Sequence, residues 1–327
     1  MATTQKLALL EFEASVGEIF GKIEDLKKIA GDTPDAEFTA KITRLEDEAN
    51  AMLKDIYGKL DYWQITQVAR HIQRPLTLDY VSHIFSDFTE MHGDRNFADD
   101  GSTICGIATL EGRSVVVIGH QKGRSMDENI KRNFGMPNPE AYRKALRFMK
   151  MAEKFNKPIV TFVDTPGAYP GMGGEERGQA EAIARNLFEM SKLAVPVIAC
   201  IIGEGGSGGA LGIAVANRVL MMQYAIYSVI SPESCASILW RDSSKKERAA
   251  NALKNGAPDA LKLGIIDVIV PEPLGGAHRN HALAAANLKK EIVTHLADLS
   301  KLSPQQLKDD RLNKFAKMGV INETATA

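Results

Sequence analysis

The residues best suited to chemistry lie in one stretch, Gly203-Glu204-Gly205-Gly206-Ser207-Gly208-Gly209-Ala210-Leu211. It directly follows the apolar run Val195-Pro196-Val197-Ile198-Ala199-Cys200-Ile201-Ile202, which has the length and β-branched content of a buried strand. The small residues from Ala210 to Asn217 are compatible with a helix. A strand that passes through glycines into a helix aims backbone N–H groups at whatever sits above the strand end, a ready site for an anion or a developing oxyanion. Glycine permits that approach because a Cβ would stand in the way.

Three readings of this loop compete. Gly203-x-Gly205-x-x-Gly208 fits the dinucleotide fingerprint, which also wants an acid about 20 residues on. That region reads Met221-Met222-Gln223-Tyr224-Ala225 and the next acid is Glu233, which weakens the match. Gly205-x-Ser207-x-Gly209 fits a nucleophile elbow, with Asp267 and then His278 or His281 downstream in hydrolase order. The third reading is a backbone oxyanion hole with no nucleophile. A glycine turn that only packs helix on strand is the plain alternative, but five glycines in seven residues exceed what packing requires.

A second loop repeats the design. Lys157-Pro158-Ile159-Val160-Thr161-Phe162-Val163 runs into Asp164-Thr165-Pro166-Gly167-Ala168-Tyr169-Pro170-Gly171, and Glu175 to Leu193 reads as the following helix, with Glu175 and Glu176 suited to its dipole. Two successive units with all-apolar strands predict parallel pairing, and so place both loops at the carboxyl ends of neighbouring strands. Ligands of open α/β sheets bind there. A GTPase reading of Asp164 to Gly167 fails for want of any G-x-x-x-x-G-K-[ST].

Taken together, the runs VDTPGAYPG at 163–171, EERGQ at 175–179, EAIARN at 181–186 and GEGGSGGAL at 203–211 resemble the carboxyltransferase alpha subunits of multi-subunit bacterial or plastid-type acetyl-CoA carboxylase. So do MHGDR at 91–95, NFGMP at 133–137, YRKALR at 142–147, SPESCASILW at 231–240 and the weaker RLNKFAKMG at 311–319. The likeness runs in order through almost the whole chain. It implies a spiral, crotonase-like α/β fold, where the residue pattern alone supplies only α/β. It also implies transfer of a carboxyl group from carboxybiotin on a biotin carrier protein to acetyl-CoA, giving malonyl-CoA for fatty acid synthesis. Two enolate-like oxyanions then need stabilising, and backbone N–H donors suffice, each worth on the order of 3 kcal/mol in the transition state. On this reading Gly205 and Gly206 form the oxyanion hole facing biotin, with Gly167 and Ala168 the adjoining wall. Ser207 is counted with Gly167 and Ala168 among the residues that bind biotin, and it starts a helix and caps it rather than acting as nucleophile. Lys122 and Arg124 could meet CoA phosphates. The cluster Lys131, Arg132, Arg143, Lys144 and Arg147 could receive CoA or an acidic carrier, and His92 is a structural hydrogen-bonder. The resemblance further implies a beta partner in an α2β2 assembly, with biotin carboxylase and the carrier protein alongside. Zinc is expected only in the beta partner, and this chain is expected to hold no metal and no covalent cofactor. The rivals are a serine hydrolase using Ser207, Asp267 and His278, a noncatalytic scaffold subunit, and an acyl-CoA hydratase with Glu204 and Glu175 as its carboxylates.

At 327 residues, 44% hydrophobic and 25% charged, the chain has an ordinary globular composition. A net charge of −1 gives no bulk attraction to nucleic acid or an anionic membrane surface. No apolar stretch reaches the roughly 20 residues of a membrane span, and the acids Glu11 and Glu13 spoil any signal pattern at the start. Cys105, Cys200 and Cys235 are too scattered for a disulfide framework or a zinc ribbon, and Cys200 reads as a core residue. A cytoplasmic location is expected.

The expected organisation is a helical hairpin over 1–65, a crotonase-like carboxyltransferase domain over 66–302, and a polar, peripheral tail over 303–327. In the hairpin Phe38, Ile42, Leu45, Ala49, Met52 and Ile56 recur at helical spacing, with a turn at 31–35 and Thr33 or Asp35 as N-cap. Further on, 104–110 and 114–119 read as a β-hairpin, Asn138-Pro139 as a helix start, 218–223, 226–230 and 265–270 as strands, and His278 as the start of a long helix.

Overall fold

The structure is a computed structural model that describes residues 7–30 and 35–319. One sheet organises it. Its strands are β1 (Ser86–Glu90), β2 (Thr103–Leu110), β3 (Arg113–His120), β4 (Ile159–Thr165), β5 (Val197–Gly206), β6 (Arg218–Met222), β7 (Ile226–Ser228) and β8 (Val268–Val270). Spatial order is β1-β2-β3-β4-β5-β6-β8, with β7 paired to the end of β5. β1, β2 and β3 are antiparallel, and β2 and β3 form the expected hairpin about Glu111 and Gly112. From β3 to β8 every pairing is parallel. A parallel sheet covered on both faces needs strands apolar on both faces. All seven residues of β4 and the first nine of β5 are buried, each fully buried valine or isoleucine contributing about 1.5–3 kcal/mol.

Helix Pro139–Lys154 carries the chain from β3 to β4. Pro139 sits at N1 as expected, but the Asn138 side chain bonds to Asp100 and Arg177 instead of capping the helix. The helix expected over 175–193 is two, Met172–Glu176 and Gln179–Lys192, parted at Gly178 with φ of +79°. That left-handed turn is cheap for glycine and stops a helix.

Helices Ala14–Ala30 and Ala36–Tyr57 pack side by side through Val16, Ile19, Ile23, Ile42, Ala49 and Leu53, an apolar cluster separate from the main core. Asp35 caps the second helix, its carboxylate accepting the Phe38 N–H at 2.8 Å. Thr33 and most of the expected turn lie outside the described residues. Glu13 ties the pair to the body: fully buried, it accepts from Tyr57 Oη at 3.0 Å and pairs with Arg279 at 2.6 Å.

The segment beyond Ser303 is a largely exposed helix at the periphery, but it carries an internal anchor. Helix Pro304–Ala316 begins at a Ser303–Gln306 capping box, and its Arg311 is fully buried. The Arg311 guanidinium donates to the carbonyls of Met190, Leu193 and Val195 and to Asn217 Oδ1, at 2.6–3.1 Å. It thereby satisfies the carbonyls left over where helix Gln179–Lys192 ends. Polar composition hides this because the burial of an arginine depends on acceptors remote in sequence.

Candidate active site

The two strand–loop–helix junctions lie side by side at the carboxyl ends of β4 and β5, as the parallel pairing predicts. After β4 the chain is shaped by side-chain bonds. Thr165 Oγ1 accepts the Gly167 N–H at 3.1 Å and donates to the Gly167 carbonyl at 2.9 Å, and Tyr169 N donates to Pro137 O at 3.0 Å. Gly167 takes φ of +153° with open space where a Cβ would be.

After β5 there is no separate turn. The strand includes Gly203, Gly205 and Gly206, and the helix Ser207–Leu211 starts at once, with Ser207 at φ of +51°. Ser207 is exposed and its hydroxyl does not cap this helix, which corrects the expected capping role. The glycines are explained by contact. A Cβ on Gly206 would collide with the Pro166 carbonyl, and one on Gly209 with Ala168 N and, at 2.6 Å, the Gly167 carbonyl carbon. At Gly203 it would stand 2.5 Å from Asp164 Oδ1, and at Gly205 2.6 Å from the Tyr227 ring. Only Gly208 of the five has room, with Ile183 no nearer than 3.9 Å. Packing therefore does account for four of the five, contrary to the expectation that glycine here exceeds what packing requires. The consequence is a shared wall in which Gly206 and Gly209 press backbone to backbone on Thr165 to Ala168. The β4 ladder reaches only Thr165↔Gly205, whereas Gly206 pairs on its other side with Ser228.

Beneath this wall runs a chain of charges. Lys122 Nζ lies 2.7 Å from Asp164 Oδ1 and 2.9 Å from Glu204 Oε1. The other Glu204 oxygen takes Arg70 Nε at 2.6 Å, and Arg70 Nη1 reaches Glu233 at 2.7 Å. Burial alone would raise the Glu204 carboxyl, but the Lys122 and Arg70 cations outweigh it and hold it down to about 2. Burial likewise opposes the charge on Lys122, and Asp164 and Glu204 more than restore it. Glu204 so fixed as a carboxylate cannot serve as a general acid, and Glu175 is exposed in helix Met172–Glu176, so no hydratase pair is assembled.

The remaining expected residues are placed as follows. The Lys122 ammonium is turned inward onto carboxylates, and Arg124 pairs with Asp79. The basic cluster is largely structural: Lys144 is fully buried on Asp99 and the Asp100 carbonyl, Arg143 pairs with Asp94, and Arg147 and Arg132 donate to the carbonyls of His92 and Gly101. His92 bonds Asp99 at 3.0 Å while staying exposed. The hydrolase triad is not formed. Asp267 bonds Val219 N and Lys314, and His278 stacks on His71 with neither ring nitrogen hydrogen-bonded. The sequence reading missed Arg70 and Glu233. Their only signal is charge next to a helix end and a helix start.

A cavity of about 610 Å³ opens beside the second junction, lined by Ser207, Gly208, Leu211, Val229, Phe315 and Met318 among others. Its walls are chiefly apolar, so it suits a ring or alkyl chain better than a phosphate. Among the described residues no cluster of His, Cys, Asp and Glu could hold a metal ion, and no helix is long and apolar enough to cross a membrane.

The family described as acetyl co-enzyme A carboxylase carboxyltransferase-like matches residues 9–319. Acetyl-coenzyme A carboxylase carboxyl transferase subunit alpha of Geobacter metallireducens is 59% identical over 314 residues, covering 96% of this chain and 98% of that relative. The subunit of the same name from an Azoarcus species is 53% identical, covering 98% and 99%. Among solved structures, transcarboxylase 12S superposes with a TM-score of 0.56 at 22% identity, over 68% of this chain and 41% of that one. A chain of a Pseudomonas malonate decarboxylase hetero-tetramer in complex with coenzyme A gives 0.55 at 17%, over 67% and 88%. At such identities the solved structures speak for the fold alone, and the fold is the crotonase-like one expected.

Proposed function

On the premise that the chain belongs to the acetyl-CoA carboxylase carboxyltransferase alpha family, we propose that its two junctions form the half of the active site that holds carboxybiotin. The protein is the alpha subunit of the carboxyltransferase, an enzyme acting in a complex that moves a carboxyl group from carboxybiotin to acetyl-CoA to give malonyl-CoA.

The observation that carries the site assignment is the backbone wall itself; beside it, among the described residues, Glu204 is tied up by Lys122 and Arg70 and His278 bonds neither Ser207 nor Asp267. A reaction able to use that arrangement needs fixed dipoles and no protein base. When carboxybiotin gives up its carboxyl group, charge collects on the ureido oxygen. The N–H groups of Gly205 and Gly206 are the proposed donors to it, with Gly167 and Ala168 as the adjoining wall. The carboxyl group leaves biotin as CO2, the biotin anion takes the methyl proton of acetyl-CoA, and the resulting enolate adds to the carbon of that CO2. The apolar cavity next to Ser207 and Gly208 suits the ring and chain of biotin. Lys122 is assigned no contact to CoA phosphates, and Arg124, exposed beside Asp79, remains the candidate for one.

The further elements follow from the family. The partner is a carboxyltransferase beta subunit in an α2β2 assembly that brings the thioester pocket and zinc. The carrier protein and biotin carboxylase supply carboxybiotin, in the cytoplasm. The chain divides into 1–65, 66–302 and 303–327, the helix of the last part being anchored in the body through the buried Leu307 and Arg311. The test is carboxyl transfer from carboxybiotin to acetyl-CoA by this chain alone and with its beta partner. Malonyl-CoA formed only in the mixture supports a shared site, and robust formation by the chain alone would overturn it.

A further inference from the structure

We propose that Lys122 is a positioning residue for carboxyl transfer. Its ammonium fixes the separation of the two junctions by bonding Asp164 and Glu204 at once, and Arg70 completes the fix by fastening Glu204 to Glu233. The inference rests on the reading of these junctions as the carboxybiotin site.

The β4–β5 ladder does only part of this task. The β4–β5 ladder is regular from Ile159↔Val197 to Val163↔Ile201, then slips so that Thr165 faces Gly205. Asp164 stands in that slip, where two steps along β4 match four along β5. Backbone pairing is thus interrupted just where both loops leave the sheet, and resumes only at Thr165↔Gly205. Side chains span the gap. Asp164 Oδ1 accepts the Glu204 N–H at 3.0 Å and Lys122 Nζ at 2.7 Å, and Lys122 also holds Glu204 Oε1 at 2.9 Å. Lys122 follows the end of β3 by two residues, so one ammonium joins the carboxyl ends of three neighbouring strands. Gly203 lacks the Cβ that would push the Asp164 carboxylate away. Glu204 is the residue before Gly205 and Gly206, so loosening its amide from the Lys122-held Asp164 carboxylate moves the backbone that carries the proposed donors.

The arrangement is poorly explained as a stability device. Buried ion pairs are often no more stabilising than apolar residues of the same shape, whereas an ammonium with two carboxylates defines three positions at once. Arg70, at the end of helix Tyr62–Ala69, and Glu233, in the first turn of helix Pro232–Trp240, extend the fix to elements outside the sheet.

The test uses the complete complex with the beta partner and reads two quantities, malonyl-CoA formed and carboxybiotin consumed. In a well-positioned site the two are equal. If the junctions separate, the carboxyl group escapes as CO2, biotin takes a proton from water, and more than one carboxybiotin is spent per malonyl-CoA. Once the carboxybiotin lost without enzyme is subtracted, unfolded or unassembled protein contributes to neither count, so a purely structural role leaves the ratio at one. Lys122→Met is expected to slow malonyl-CoA formation roughly tenfold or more and to raise the ratio above one. A ratio of one with turnover within threefold of the parent would overturn the proposal. If Lys122→Met yields no folded complex, Lys122→Met with Glu204→Gln restores the charge balance and is read in the same way. Failure of the parent complex to make malonyl-CoA would instead refute the carboxybiotin reading itself.

Discussion

The two junctions solve one problem by opposite means. After β4, side chains shape the backbone: Thr165 clasps Gly167, and the Asp164 carboxylate binds Lys122 and the Glu204 amide. After β5, missing side chains shape it, since Gly206 and Gly209 admit the neighbouring backbone where any Cβ would collide. A glycine run at a strand end thus need not mean that a ligand approaches every glycine. Here most of the run brings one loop against the other, and the ligand surface is what their contact creates.

The sharpest way to break this comparison is Gly206→Val. Its branched side chain would enter the space held by the Pro166 and Thr165 carbonyls and prise the junctions apart. Turnover of the complex should fall at least about 100-fold, the scale of losing an oxyanion donor, with about 1–3 kcal/mol of stability lost to overpacking. Unchanged turnover would show that the contact between the junctions has no part in the reaction. A smaller pair of changes sharpens the same point. Gly209→Ala places one methyl against Gly167 and Ala168 and should cost about 1–3 kcal/mol. Gly208→Ala, one residue away, meets only Ile183 at 3.9 Å and should stay within about 0.5 kcal/mol. Urea unfolding of the two variants decides it, and equal costs would mean that glycine is required by conformation rather than contact.

How far the sequence foretold this follows from the range of each interaction. β4 and β5 are legible because continuous apolar runs report burial on both faces, and the parallel pairing follows from the repeated unit. The two junctions are legible as a site because glycine and proline punctuate them. Lys122 was legible only as a basic residue in a loop. Its partners lie 42 and 82 residues away in sequence and meet it through sheet order, which local pattern does not encode. The same holds for Arg311, whose acceptors are 94 to 121 residues distant. The break at Gly178 was not legible, because a single glycine inside a helical pattern is tolerated often enough that it does not by itself announce a left-handed turn.

The junction built on side chains should also be the one that acid reaches. The Asp164 N–H points at His120 Nδ1 at 3.3 Å, and burial, then the Lys122 charge, pushes the His120 imidazole down to about 3. Burial, with His71 and nearby arginines, takes His278 down to about 2. Both rings are neutral in the folded chain and bind protons on unfolding once pH falls below about 6.5. Stability is therefore level above about pH 7.5 and declines below it, steepening toward about 1.4 kcal/mol per pH unit for each ring. The Glu204 and Asp99 carboxylates, both held down to about 2, add to the loss only below about pH 4.5. Urea midpoints at pH 8.5, 7.5 and 5.5 should be nearly equal for the first two and lower for the third. A midpoint unchanged at pH 5.5 would mean that these rings accept protons without cost in the folded state.

The smallest effect expected is at the residue that looks most like a catalyst. Ser207 sits at a strand-to-helix elbow with φ of +51°, exposed beside the cavity, as a nucleophilic serine would. What it lacks is a base. His278 is stacked on His71 with both nitrogens unbonded, and Asp267 is committed to Val219 N and Lys314. Without a base within reach the hydroxyl keeps its proton and is a weak nucleophile at neutral pH. The elbow has a different cause. Gly206 must lie flat on the Pro166 carbonyl, and Gly209, three residues on, must meet Ala168, so the intervening backbone reverses within one residue. That reversal is what φ of +51° records. Ser207→Ala preserves the backbone and removes only the hydroxyl, so turnover of the assembled complex should stay within about threefold, against the 10³-fold or greater loss typical of a missing nucleophile. A loss on that larger scale would mean that the second junction, too, works through a side chain, and the contrast between the two would collapse.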